Sequence, residues 1–416
     1  MKSAMLRIAV VSPFLDKQHG TERCVLEQVE RLARDGFEVH LYCQRVSDIP
    51  DLKVFKRGGT LAAGAEPTNR IVWHRVPSIP GPHLLGYVWW FLANHTQRWK
   101  DRKFRKLHYD LVYSPGINCL DADAIVVHIV FQEFYRLVIE DLRLRQLPLR
   151  SVPRAIHRRL YYQLAMALER RIYTNPRVAM AAVSKLTADE VERYSARHDV
   201  RVIPNAVELA SFNPEARLRQ RADARRQLQL DDEDFVLLLV GNDWKKKGVD
   251  ALLKAAARCL DLPCKLLIVG HDDRLLYGRI IDNLGLQDRV QFVELSENIV
   301  QFYGAADAYV GPSLHDSFAF PPAEAMACGL PVITTRNNGG SQMITDGVDG
   351  FLLQDATDSE ELSNKIRTLY ENPTLRAEVG RRAAIVAKEY TWERNTQQIR
   401  KFLEDAYFSK KPGHQA

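Results

Sequence analysis

What this sequence lacks narrows it first. Its six cysteines, Cys24, Cys43, Cys119, Cys259, Cys264 and Cys328, form no C-x-x-C pair and no other metal-ligand spacing, and most lie in apolar segments. That argues against zinc-ribbon and dithiol redox chemistry, predicts no metal site, and suits buried thiols in a reducing compartment. Long hydrophobic runs are missing too. The longest, His83–Ala93 (HLLGYVWWFLA), falls short of the roughly 20 apolar residues that cross a bilayer. The start, MKSAMLRIAVV, runs into a strand-like segment without a small-residue cleavage site, so a cytoplasmic location is expected. Repeats, low-complexity tracts and recognised nucleic-acid motifs are absent as well, and no nucleic-acid partner is expected.

What is present is a chain of 416 residues, 46% hydrophobic, long enough for two or three domains with sizeable cores. Its net charge of +6 is unevenly spread. Residues 98–106 (RWKDRKFRK) carry six Lys/Arg against one Asp, and 136–171 carry nine Arg against three acids. The second stretch sets Leu142, Leu144, Leu147 and Leu149 among its arginines and continues as HRRLYYQLAMALERRIY, an amphipathic-helix pattern. Such runs read either as solvated helix faces or as contacts with an anionic surface, a membrane leaflet or a phosphorylated acceptor.

Short apolar runs alternate with helix-period segments, the pattern of parallel α/β sheets, and the pattern occurs twice. The first half predicts strands at Ile8–Val11, Phe37–Cys43, Ile71–Val76, Leu111–Tyr113, Ile125–Ile129, Val178–Val183 and Val200–Ile203. Between the first two lies a helix with Thr21 as its expected N-cap and Gly36 as its stop. The second half predicts strands at Phe235–Val240, Lys265–Val269, Val290–Val293, Ala308–Val310, Val332–Thr334 and Phe351–Leu353. Two doubly wound, Rossmann-like α/β domains follow, 1–205 and 206–390, with PEARLRQRADARR as a connecting helix or linker. A final helix, 391–410, is expected to pack back on the first domain.

Doubly wound sheets bind ligands beyond the carboxyl ends of their strands, so the strand-to-helix loops are where function is sought. SPFLDKQHGTE sets Gly20 before a helix, where bare backbone can approach an anion or a sugar hydroxyl, though such a glycine also serves as a simple turn. GNDWKKKG frames three lysines between Gly241 and Gly248; at a strand tip, Lys246 and Lys247 suit a diphosphate. The third loop is HDSFAFPPAEAMACGLPVITT. Pro321 and Pro322 fit the first turn of a helix beginning near Phe320, whose N–H groups would receive an anion, with Phe318, Ala319 and Phe320 at its mouth. Carboxylates repel phosphate, so Asp316 and Glu324 are better acceptors for hydroxyls: Glu324 for a ribose diol, Asp316 for a sugar hydroxyl. Glu324 also reads as an ordinary helix N-terminal acid. NNGGS, residues 337–341, adds another glycine turn at a strand end.

These segments, taken in order, resemble the retaining glycosyltransferases of family 4, whose GT-B fold pairs two Rossmann-like domains across a cleft. The carriers are the glycine turn after the first strand, G-x-x-x-K-K-K-G, and an acid and a Glu separated by seven residues before AMACGLPV. VIPNAVELASFNP resembles the family's interdomain segment, and the likeness runs from about Arg7 to Phe402. GNDWKKKGVD and ALERRIY are most similar to members that act on lipopolysaccharide core. The resemblance implies transfer of a hexose from a nucleoside diphosphate sugar, UDP-linked, to a glycan or lipid-linked glycan, with retention and without a metal or other cofactor. It implies that Gly20, Gly241, Lys246, Lys247 and Glu324 hold the donor, with the base near Val290–Glu294. Asp316 stands where the family usually has Glu, and is one methylene shorter; Lys246 stands where Arg is usual, and His19 replaces the first of two glycines. For the acceptor side, SPGINCLDADAIVVHIVF offers Asp121, Asp123 and His128, of which His128 and Asp121 are the catalytic candidates; His128 also reads as a hydrogen-bonded core residue. A non-catalytic sugar-nucleotide or membrane binder, a phosphorylase or an epimerase are the alternatives. Peripheral attachment to the inner face of a membrane through 98–106 and 136–171 is the further expectation.

Overall fold

The computed structural model describes residues 6–49, 53–54, 70–139, 152–296 and 298–410. The chain divides into two compact units, Met1–Pro204 with Asn395–Ala416, and Asn205–Arg394.

In chain order the first unit contains β1 (Arg7–Val11), β2 (Phe14–Leu15), α1 (Gly20–Arg34), β3 (Glu38–Cys43), β4 (Arg45–Val46), β5 (Lys53–Val54) and β6 (Ile71–Arg75). These are followed by α2 (His83–Arg105), β7 (Leu111–Ser114), β8 (Ala124–Val127), α3 (Phe131–Val138), α4 (Val152–Tyr173), β9 (Ala179–Ala182), α5 (Lys185–Ser195) and β10 (Arg201–Val202). The second unit holds α6 (Pro214–Gln227), β11 (Phe235–Val240), α7 (Trp244–Lys247), α8 (Val249–Ala257), β12 (Cys264–Val269), α9 (Arg274–Leu284), β13 (Val290–Val293) and α10 (Val300–Ala305). Then come β14 (Ala308–Gly311), α11 (Phe320–Ala327), β15 (Val332–Thr335), β16 (Phe351–Leu353), α12 (Ser359–Glu371) and α13 (Pro373–Ala387), while the last helix, α14 (Trp392–Lys410), belongs from Asn395 onward to the first unit.

Each unit is wound on a parallel sheet. The first runs β10-β9-β8-β7-β1-β3-β6-β5, the second β13-β12-β11-β14-β15-β16. Helices cover both faces, so central strands such as FVLLLV of β11 are buried at every position, without the alternation of a half-exposed sheet. The order reverses at β1 and β7 in the first sheet and at β11 and β14 in the second, which fixes where loops diverge and a ligand can enter. The two-domain α/β reading therefore stands. All six cysteines are free and buried.

Three local expectations meet the structure, and one of them is corrected. Of the two readings of PEARLRQRADARR, the helix holds: it is α6, capped by the Asn213 side chain, with Arg225 only 3% exposed and its guanidinium on backbone carbonyls. Thr21 does not cap α1, because the helix begins one residue earlier, at Gly20, with His19 in the N-cap position and no side-chain cap bond. ALERRIY behaves as an amphipathic helix segment: Glu169, Ile172 and Tyr173 are buried in the first unit, leaving Arg170 and Arg171 outside. Leu142, Leu144, Leu147 and Leu149 lie outside the described residues.

One glycine is dictated by contact. Gly248 has φ +80°, and a Cβ there would sit 2.0 Å from the carbonyl oxygen of Pro312, a backbone atom with no room to retreat. Gly248→Ala combines left-handed strain with a clash, so it is expected to destabilise the second unit by about 2 kcal/mol or more. Urea unfolding checks this; a midpoint equal to that of the parent chain would contradict the contact.

Candidate functional site

The second unit's switch point brings two loops together. After β11 the chain turns at Gly241 and enters the single turn of α7, where the buried Trp244 ring stacks on Phe292 at 4.5 Å and its backbone N–H donates to Asp272 at 2.6 Å. Asp243, in the left-handed region, accepts from the Lys246 N–H and starts the turn. With Trp244 fixed inward, the lysines point elsewhere. The Lys247 stem crosses Gly241, whose missing side chain leaves the room: a Cβ there would lie 2.9 Å from Lys247 Cε. Lys247 Nζ then donates to Asp316 Oδ2 at 2.6 Å, across from the loop that follows β14.

Asp316 is built into its own loop. Its N–H donates to the Asn337 carbonyl, its carbonyl accepts from Gly339, and its Oδ1 accepts from the Phe318 N–H at 3.3 Å. Burial would raise its carboxyl, but the charges of Lys247 and Lys246 and the Lys247 hydrogen bond outweigh that and hold it below the ordinary carboxylate value. The buttress is Asn338, fully buried, whose Oδ1 accepts from Ala319 N–H at 3.3 Å and Gly340 N–H at 2.9 Å. Sequence reading saw NNGGS only as a glycine turn and missed Asn338; an Asn ahead of two glycines was the available signal.

Glu324 lies in α11, 3% exposed, and accepts from the Tyr303 hydroxyl at 2.7 Å. The mouth of this helix differs from the expectation in one respect. Pro321 and Pro322 carry no N–H, and the N–H groups of Phe318 and Ala319 already meet Asp316 and Asn338. The helix end thus offers an anion fewer donors than a full first turn. Val290–Glu294 ends β13 on the same carboxyl edge, where Glu294 pairs with Arg274 at 2.6 Å.

In the first unit, His128 follows directly on β8 and so stands at the carboxyl edge of its sheet, 6% exposed. Its Nε2 is buried without a hydrogen-bond partner, and burial pushes the imidazole down to about 4, so it is uncharged at neutral pH. Next to it, Glu169 of α4 reaches the start of α3 and accepts from the Phe131 and Gln132 N–H groups at 2.8 and 3.0 Å. Burial pushes Glu169 up to about 7 despite those two bonds, with Glu190 adding to the rise.

Asp121 is a correction. It lies before β8, at the opposite end of the strand from His128, and takes both guanidinium arms of the buried Arg98 at 2.8 and 2.6 Å. That pairing answers a buried cation's need for a counter-ion and does not bring Asp121 to the strand tip. Asp123 likewise accepts from the Val112 N–H and pairs with Lys410. Gly20 is the exposed first residue of α1, beside Asp16, which the sequence reading passed over. Asp16 accepts from the Gln18 and His19 N–H groups and the His19 ring, each at 2.9 Å. Among the described residues no three His, Cys, Asp or Glu side chains converge on a metal position.

Comparison with known proteins matches the two units in turn. Residues 19–211 fit the model described as Glycosyltransferase Family 4, and 220–386 that described as Glycosyl transferases group 1. A D-inositol 3-phosphate glycosyltransferase of Pseudarthrobacter chlorophenolicus is 32% identical over 236 residues, 54% of this chain; the chain spans 55% of that relative's length. Among solved structures, a sucrose-phosphate synthase from Thermosynechococcus elongatus superposes with a TM-score of 0.72 at 20% identity, over 97% of this chain and 100% of that one. WaaG, a glycosyltransferase involved in lipopolysaccharide biosynthesis, gives 0.70 at 18% identity over 98% and 100%. At these identities the structural likeness speaks to fold alone.

If the Lys247 charge holds Asp316 ionised, acid should reveal it. A carboxyl held below its unfolded value of about 3.9 contributes stability above that pH and loses it as pH falls through the folded value. Urea midpoints between pH 3 and 7 should show a gap between the parent chain and Asp316→Asn that closes at the acid end, and that is absent or inverted in a Lys247→Met background. A gap unchanged across the range would contradict the pairing.

Proposed function

Because the chain belongs to glycosyltransferase family 4, with the GT-B fold, we propose that it moves a hexosyl group, with retention and without a metal, from a UDP-hexose to a hydroxyl of a glycan or lipid-linked glycan such as lipopolysaccharide core. The observation that carries this reading is the meeting of Lys247 and Asp316 at 2.6 Å over Gly241, at the point where the second sheet reverses its order.

The chemistry follows from charge. The donor's diphosphate competes with Asp316 for the Lys247 ammonium and takes it, joined by Lys246. Asp316 is then released to accept from a hydroxyl of the sugar, while Glu324 accepts from the ribose. When the bond between the sugar and the β-phosphate oxygen breaks, negative charge grows on that oxygen, and preorganised ammonium groups stabilise it more than they stabilise the ground state. The attacking hydroxyl arrives on the face the phosphate leaves, which retains configuration, and gives its proton to the departing β-phosphate oxygen. His128, neutral and with Nε2 uncommitted, is suited to hydrogen-bond a substrate hydroxyl; an imidazolium there would oppose the departing sugar's own positive character.

Turnover of UDP-glucose, other UDP-hexoses and GDP-mannose, read as nucleoside diphosphate release, tests the reading against a panel of acceptors. D-inositol 3-phosphate joins that panel because the relative's name carries it. Lys247→Ala and Glu324→Ala are expected to lower kcat/KM about 100-fold or more while the fold persists. Absence of turnover and of any melting shift with every nucleotide would sink the proposal.

The first unit's outer surface supports attachment to an anionic membrane as the acceptor's setting. On α2, Leu85, Val88 and Leu92 form one exposed stripe at helical spacing, and α4 adds Ile156 and Leu160 beside Arg154 and Arg158. The two helices touch through His83, Tyr87 and Tyr161. Of the cations in 98–106, Arg98 is buried and Arg105 pairs with Asp101, which leaves Lys100, Arg102, Lys103 and Lys106 outward. Among the described residues no helix is long and apolar enough to cross a membrane. Co-sedimentation with phosphatidylglycerol vesicles should fall steeply as salt rises, and weaken in Leu92→Glu; salt-independent pelleting, or none, would refute attachment.

A further inference from the structure

We infer that Tyr303 is a positioning residue for Glu324, and that α6 holds Tyr303 in place by clamping the end of α10; this rests on the reading that Glu324 accepts from the donor ribose. A buried carboxylate serves a diol only if its rotamer is fixed, since a free carboxyl group would swing between acceptors. The Tyr303 hydroxyl supplies that restraint. It is fully buried and donates to Oε2 of Glu324 at 2.7 Å, a bond that ties the carboxylate to one rotamer.

What fixes Tyr303 is less obvious. It sits in α10, a helix of six residues whose closing carbonyls have no partners within so short an element. Three arginines spaced four apart on α6 supply them. Arg217 donates to the carbonyls of Tyr303 at 3.3 Å and Ala306 at 2.9 Å, Arg221 to Ala306 at 3.1 Å, and Arg225 to Ala305 at 3.0 Å. Their charge also meets the negative end of the helix dipole. Arg221 and Arg225 continue to Asp307, whose Oδ2 accepts from the Val236 N–H and so ties the clamp to β11. Gly304 lets the helices approach to backbone distance: a Cβ there would lie 2.9 Å from Gln220 Cβ and 3.2 Å from the Arg217 carbonyl oxygen. On the other side the Phe212 ring meets Tyr303 edge to face at 5.6 Å. The line runs from α6 through the α10 carbonyls to Tyr303 and Glu324.

The test separates aiming from mere support. Calorimetry measures the affinity of UDP and of 2′,3′-dideoxy-UDP, or of the GDP pair if that base is the one bound, for the parent chain, Tyr303→Phe, Glu324→Gln and Arg221→Gln. In the parent chain the ribose hydroxyls should favour the natural nucleotide about 10- to 100-fold. Glu324→Gln should reduce that preference to a few-fold. Tyr303→Phe should do the same while leaving dideoxynucleotide affinity unchanged, and Arg221→Gln should shift the preference the same way by less. A parent-like preference in Tyr303→Phe, beside its loss in Glu324→Gln, would overturn the positioning role alone. A preference kept in Glu324→Gln would instead overturn the assignment of Glu324, and this inference with it. Should Tyr303→Phe fail to fold, Arg221→Gln decides: an unchanged preference there refutes the clamp.

Discussion

The backbone contact between Gly248 and Pro312 is what the donor-side chemistry rests on. It brings the loop after β11 against the loop after β14 more closely than any side chain would allow. The Leu314 N–H then bonds the Lys246 carbonyl at 2.9 Å, and the two loops become one surface. From that surface come the short Lys247–Asp316 pair and the placing of two lysines beside α11. A larger residue at 248 would part the loops and leave an ammonium and a carboxylate each to water, where neither is oriented.

Much of this was legible in the sequence because it depends on local rules. Uninterrupted apolar strands such as FVLLLV announce a sheet covered on both faces, and the glycine-framed lysines announce a strand tip. The Pro-Pro pair marked the start of α11. What sequence could not give was pairing across long separations. The position of Asp121 in the chain is compatible with either end of β8, and only Arg98, arriving from α2, decides which task it has. The same holds for α6: a run of arginines looks solvated until three of them find the carbonyls of a helix about 85 residues away. Asn338 escaped notice because its role is to satisfy backbone N–H groups of another loop, which leaves no periodic trace.

The lysines and the prolines at the donor side also belong together physically. A helix mouth rich in free N–H groups suits an anion by geometry, whereas a mouth shortened by two prolines has fewer donors and stands beside the positive charge of the neighbouring lysine loop. Lysine at 246 adds a compact, freely rotating charge to that loop in place of a planar fork tuned to one orientation.

In the first unit the helix mouths carry the opposite sign. Glu169 occupies the start of α3, and Asp16 and Glu22 stand at the start of α1, so the places where a doubly wound sheet ordinarily welcomes an anion are already filled by carboxylates. Asp16, which burial would raise but which its bonds to His19 and Gln18 hold below the ordinary carboxylate value, keeps its charge there, while burial raises Glu169 and Glu22. Two copies of one architecture thus present different charge at corresponding strand tips, which is a difference laid down before any shape is compared.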